Sequence, residues 1–315
     1  MDTLIIGFLQ NTAWRIDAPV MFGAFHISAL VIITAAAFLS ARKLSSGTQN
    51  TPISVPDASE TGASDTDAAD MYTADGIPVS DKTVKIRGIR VLASAGWLLA
   101  ALEAYKQLFL YYIVNSWHYD WWFFPFQLCS VPMYLCILLP FARGRVRASF
   151  LTFMATFTFI SAAAALIFPE DFMRSYVSLT VHGFVWHGIL LFISLYILFS
   201  GMADLSRKGF VRASILFACL CVPAVLINAA TEPLMNAAHA ANEIPNSYAA
   251  MFYLSPYHIS PQPVVGAVQQ MTGIPAGLML YALAIIAAAG LFCMIADHVF
   301  ISFTGSKRNE KTAKS

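Results

Sequence analysis

Seven apolar runs of roughly 20 residues or more govern what this chain can fold into, near residues 20–41, 88–114, 122–141, 147–168, 178–200, 210–230 and 273–301. A run of that length is what a helix needs to cross a bilayer. The composition agrees. Charged residues make up 12% of the chain and hydrophobic ones 58%, whereas a soluble domain carries about 25% charged residues. Too few charges remain to cover a water-facing surface. The expected fold is therefore all-α: a multi-pass protein of the cell membrane, with about seven transmembrane helices in a single domain spanning 1–315.

Two long connections stand out. Residues 44–84 are rich in Ser, Thr, Asp, Ala and Gly. They hold too little apolar area to fold, so a disordered insert is expected there. Residues 231–272 form a connection between the last two runs that is long for a membrane protein. Connections of that length often act as lids.

Lys and Arg set the orientation. With the N-terminus outside, sixteen of them (among them Arg42, Lys43, Arg143, Arg145, Arg147, Arg207, Lys208 and Lys307) fall on the inner side. Arg15 and Arg174 fall outside, and Lys106 lies within the second run. The expected topology is N-terminus out, C-terminus in, with 44–84 cytoplasmic and 231–272 external. Trp117, Tyr119, Trp121 and Trp122 then sit at the outer interface, where amphipathic rings belong. No basic region precedes the first run, so no cleavable signal peptide is expected.

The polar residues inside the runs carry the functional argument, because intramembrane ionisable groups usually face a cavity or a partner. At a helical rise of about 1.5 Å per residue, Cys129 lies about 10 Å below the outer boundary, His187 about 13 Å and His26 about 10 Å. Glu103 and Lys106 share the outer half of the second run, and Asn228 lies at the outer end of the sixth. This common layer points to a polar pocket opening outward. Each residue also has a plainer reading. A buried Cys is most often a small inert hydrophobe, and His187 alone serves as an interhelical hydrogen bond. Glu103 and Lys106, at i and i+3, neutralise each other. His182 is five residues from His187, about 140° around a helix, so the two do not form a paired metal face. His26 is open to a role as base, headgroup contact or packing bond.

Several chemistries lack their signatures. There is no G-x-S-x-G elbow, no H-E-x-x-H helix and no phosphate-cradling P-loop. All five cysteines (Cys129, Cys136, Cys219, Cys221 and Cys293) lie in apolar runs, so neither a disulfide framework nor a metal site is indicated. No cofactor is expected. No basic block interleaved with aromatics argues for nucleic acid, and no protein partner is legible.

Phe124-Pro125-Phe126-Gln127-Leu128-Cys129-Ser130 and Trp186-His187-Gly188 resemble segments of the bacterial YwaF-like membrane proteins, related to the eukaryotic transmembrane protein 164 acyltransferases. Phe22-Gly23-Ala24-Phe25-His26, Glu103 and Asn246-Ser247-Tyr248 extend the resemblance over most of the chain outside the insert. It implies a polytopic fold and acyl transfer on a membrane lipid, with Cys129 as nucleophile and His187 as base. Gln127, Asn246 and Tyr248 then join His26, Glu103, Lys106, His182 and Asn228 as candidates to bind substrate. A transporter or binding protein with an outward polar cavity built on Glu103, Lys106 and His26 is the rival from another class.

Overall fold

The computed structural model describes residues 2–49, 79–240 and 248–312. Among them the chain is helical, with one isolated antiparallel bridge between Arg15 and Tyr176 and no strand. The helices are α1 (Asp2–Asn11), α2 (Ala24–Gln49), α3 (Val79–Phe109, continued by a π-helical turn, Leu110–Val114), α4 (Val131–Leu138), α5 (Gly144–Ile167), α6 (Val177–Phe199), α7 (Arg207–Ala240), α8 (Pro263–Thr272) and α9 (Ile274–Thr312). Short 3-10 turns occupy Trp121–Phe123 and Met251–Tyr253.

Five of these, α2, α5, α6, α7 and α9, are long and apolar enough to cross a membrane. Two of the seven expected spans do not meet that standard. Helix α3 has the length but carries Arg87, Arg90, Glu103 and Lys106 among its apolar residues. Residues 122–141 are no single helix: a 3-10 turn, an irregular stretch and the eight-residue α4 take their place. Eight residues rise only about 12 Å. The cause is Pro125, which has no N–H and forces the preceding residue out of the α region. Phe124 accordingly sits at φ −54°, ψ 134°. Pro132 then occupies the first turn of α4, where a missing N–H costs nothing.

Helix α6 is the hub. It is apolar on every side, as a helix in the middle of a bundle must be, and Leu190, Ile193, Tyr196 and Ile197 are fully buried. Helices α2 and α5 pack on it, α7 and α9 pack on α5, and α4 packs on α3. Glycine permits the closest of these approaches: a Cβ on Gly96 of α3 would lie 2.7 Å from the Cβ of Cys136 on α4.

Both long connections differ from expectation. Helix α2 runs to Gln49 and α3 starts at Val79, so the two ends of the 44–84 stretch are helical; residues 50–78 lie outside the described residues. The 231–272 stretch is not one loop. Helix α7 continues to Ala240, and α8 fills its last ten residues. Between them, Ala249, Ala250, Met251, Phe252, Leu254 and Ser255 are buried inside the protein.

Candidate functional site

Two irregular segments, 124–130 and 248–255, meet. Buried backbone outside regular secondary structure needs hydrogen-bond partners from elsewhere in the protein. Here two side-chain amides supply them. The Asn228 carboxamide on α7 accepts from the Met251 N–H at 2.6 Å and donates to the Met251 carbonyl at 3.1 Å. The Gln127 Oε1 accepts from the Phe252 N–H at 3.0 Å. The Phe126 and Phe252 rings stack at 5.7 Å. Phe252 and Tyr253 are both held at positive φ, 55° and 56°. Such conformations cost a bulky residue about 1–3 kcal/mol each and persist only where the surroundings over-determine them.

Cys129 lies in the turn just ahead of α4, not on a helix. Its expected depth, counted by helical rise, therefore does not apply. The turn is closed by the Gln127 carbonyl, which accepts from the N–H groups of Ser130 (2.8 Å) and Val131 (3.2 Å). Cys129 is half-buried, while Cys136 is fully buried with its Sγ 3.5 Å from the Met154 sulfur.

Helix α6 carries three site residues, of which Trp186 reaches this turn; no hydrogen bond joins Cys129 to His187 or His182 among the described residues. The Trp186 indole N–H donates to the Cys129 carbonyl at 3.2 Å. His187 follows Trp186 in the chain, and its Nδ1 is 2.8 Å from the Gly183 carbonyl. A carbonyl can only accept, so Nδ1 carries the proton. Nε2 is then the lone-pair nitrogen, and it has no hydrogen-bond partner among the described residues. Phe172 stacks on the His187 ring at 4.9 Å. It fits because residue 183 is glycine: a Cβ there would fall 2.4 Å from the Phe172 ring. His182, one turn away, stacks on Trp186 and donates from Nε2 to the Leu102 carbonyl at 3.1 Å.

Charged neighbours complete the cluster. Lys106 is 2.9 Å from the Glu103 Oε1 and lies 5.9 Å over the Trp186 ring. The i, i+3 ion pair read from sequence is thus formed. Gln107 also donates to the Glu103 Oε1, while the buried Glu103 Oε2 has no hydrogen-bond partner among the described residues. Lys106 and Asp171 both act electrostatically on Cys129 and on His187. The Tyr253 hydroxyl donates to the Asp171 carboxylate, and Tyr253 also interacts electrostatically with Cys129. Burial, then the charge of Asp171, pushes the Tyr253 phenol well above its ordinary value, so it stays protonated. Burial first and Glu103 second push Tyr119 up to about 12.

The other sequence candidates have different surroundings. His26 sits in the first turn of α2, so its expected depth along a helix from Pro19 does not hold. It accepts from the Phe22 N–H through Nδ1 (2.9 Å) and donates through Nε2 to the Leu166 carbonyl (2.8 Å). Both nitrogens are occupied, and the ring pins the start of α2 to the end of α5. Asn228 spends its amide on the 251 backbone, and Gln127 divides its own between the Phe252 N–H and the Trp122 carbonyl. The Tyr248 hydroxyl donates to the Ile259 carbonyl, and its ring stacks on His258 at 4.2 Å. Asn246 lies outside the described residues. Phe172 and Asp171 joined the site without being singled out in the sequence, and Trp186 was named there only as part of the Trp186-His187-Gly188 segment.

Fold and site together define a multi-pass helical membrane protein with a thiol, an imidazole and an ion pair gathered beside two irregular segments. A model of the TMEM164 family matches residues 21–261, most of the chain, and the protein belongs to that family. No curated protein and no solved structure matches the chain.

Proposed function

We propose that the protein is an intramembrane lipid acyltransferase or hydrolase that works through a thioester on Cys129, with His187 as general base. The observation that carries this reading is the state of the His187 ring. Its Nδ1–H is committed to the Gly183 carbonyl. That leaves Nε2 as a base, on the residue next to the one that holds the Cys129 carbonyl. A nucleophile, a base and a group that orients the base are the parts covalent acyl transfer requires.

In this scheme Nε2 takes the Sγ proton as sulfur attacks the carbonyl carbon of a lipid ester. The C–S bond forms, the ester C–O bond breaks, and the leaving alkoxide takes the proton from His187. The acyl group is then passed to an acceptor hydroxyl, or to water, which His187 deprotonates in turn, and the thiol is restored. The acyl tail stays in the bilayer throughout, and no cofactor is needed.

The topology belongs to the same proposal. Helix α3 is the second crossing, and residues 122–141 make the third as a broken one, half irregular and half α4. The count is then seven, with the N-terminus out and the site toward the outer face of the cell membrane. The kinship with bacterial YwaF-like members is part of it too. The transporter reading needs His26 as a free group, whereas both of its nitrogens are bonded within the fold.

Lipid profiles of cells expressing wild type or Cys129→Ala test the proposal. A change in acyl composition that appears with wild type and vanishes with Cys129→Ala is expected. Identical profiles from the two, with both proteins in the membrane, contradict it.

A further inference from the structure

Acyl transfer develops negative charge twice, on sulfur and on the carbonyl oxygen of the tetrahedral intermediate. A site that excludes water must answer that charge with its own donors. The histidines do not do so: His187 gives its only N–H to Gly183 and His182 gives its own to Leu102. Nor does the Trp186 indole, whose N–H is spent on the Cys129 carbonyl.

Lys106 is different. Its ammonium has three N–H donors, and its one ion-pair partner among the described residues is the Glu103 Oε1 at 2.9 Å. It lies over the Trp186 ring, on the indole whose N–H holds the Cys129 turn. The groups facing this region are Glu103 on its own helix, His182 and His187 on α6, Cys129 in the turn, Asp171 in the connection before α6, Tyr253 beside Asp171 and Cys129, and Tyr119 and Tyr134 beside Glu103. Lys106 acts on Cys129, His182 and His187 alike, and it is the cation common to all three. Glu103 holds it by one oxygen, and the other is buried and unpaired among the described residues. The carboxylate is therefore an anchor that keeps a charged lysine at this depth.

We propose that Lys106 is a further catalytic residue, whose ammonium donates to the oxyanion formed when the Cys129 sulfur adds to a lipid ester, with Glu103 as its positioning residue. This rests on the thioester reading. In the addition step the C–S bond forms and the carbonyl π pair moves to oxygen. A Lys106 N–H meets that oxygen, and the proton stays on lysine through collapse to the thioester. The ammonium also stabilises the attacking thiolate.

Two measurements on the full-length protein in lipid nanodiscs test the proposal: turnover of an ester phospholipid, and the pH–rate profile of Cys129 labelling by a lipophilic maleimide. Removing one donor to an oxyanion typically lowers kcat by about 10²–10³, and Lys106→Met should do so with KM little changed. The labelling profile of Lys106→Met should move to higher pH by about one unit. Lys106→Arg keeps the charge and should recover most of both. If Lys106→Met does not fold, Lys106→Gln, which keeps an N–H without charge, should still show lower kcat and the displaced profile. An unchanged kcat, a rise in KM alone, or a labelling profile equal to wild type in the folded variants overturns the proposal. Failure of the thioester reading is seen separately, as full activity in Cys129→Ala, and the labelling profile remains a readout of whether Lys106 faces the thiol.

Discussion

The α5–α6–α7 core and the pair of irregular segments hold together by different means. In the core, backbone groups satisfy one another within each helix and most side chains fill space, with Ser194 Oγ donating across to the Met154 carbonyl at 2.8 Å. Phe157 is fully buried between Phe153 and Phe217, both at 5.1 Å. In the irregular pair, three backbone groups of Met251 and Phe252 bond to two side-chain amides, and two bulky residues sit at positive φ. The first region tolerates substitution of like for like. The second is specified atom by atom, and the candidate nucleophile is attached to it. The candidate base is attached to the first.

The largest effect should come from the residues that join the regions. If Cys129 and His187 are one catalytic unit, losing either removes the same transition-state stabilisation. Cys129→Ala, His187→Ala and the double variant should fall to nearly the same residual lipid turnover. Losses that multiply in the double variant would mean the regions act independently.

Within the core, Phe157→Ala leaves a cavity and should cost about 3–5 kcal/mol. The thermal midpoint in detergent should fall, while turnover per folded molecule stays near wild type. A large loss of turnover with an unchanged midpoint would make the core part of the site.

Asn228→Ala probes the irregular pair. It strands the buried Met251 N–H, at about 1–3 kcal/mol, while the Met251 carbonyl keeps the Leu254 N–H at 3.0 Å. Turnover should fall further than stability does, because the 251–253 turn loses its clamp. Asn228→Asp keeps the acceptor and should sit between. Wild-type turnover in Asn228→Ala would show that the strained turn is unrelated to the chemistry.

The smallest effect lies in the connection between α6 and α7, where Asp204 is tied to Thr152 of α5. Hydrogen bonds from Ser206, followed by the Arg212 charge, hold Asp204 below its ordinary value of 3.8. A depressed carboxyl stabilises the fold above its unfolded value, and that stability is lost as pH falls through the folded one. The thermal midpoint of wild type should therefore drop below about pH 4 more steeply than that of Asp204→Asn. Parallel curves would deny Asp204 any part.

Legibility follows the same division. The apolar runs revealed five helices closely, because a period and a length suffice to find a buried helix. The run at 122–141 was misleading: its apolar length hid Pro125 and Pro132, which break it and mark the start of α4. His187 was legible as an ionisable group in an apolar helix, and Glu103–Lys106 as a pair at i, i+3. The structural use of His26 was not, since its partners, Phe22 and Leu166, are backbone groups that no pattern reveals. The burial of 249–255 was equally hidden, because it depends on Asn228 and Gln127, more than 20 and 120 residues away in sequence.

The central claim is that Cys129 carries the acyl group. Peptide mass spectrometry after incubation with ester phospholipid vesicles tests it most directly. A hydroxylamine-labile acyl adduct on Cys129, absent from Cys136 and diminished in His187→Ala, is the expected result. Lipid turnover that proceeds with no adduct on Cys129, and that survives Cys129→Ala, would contradict it.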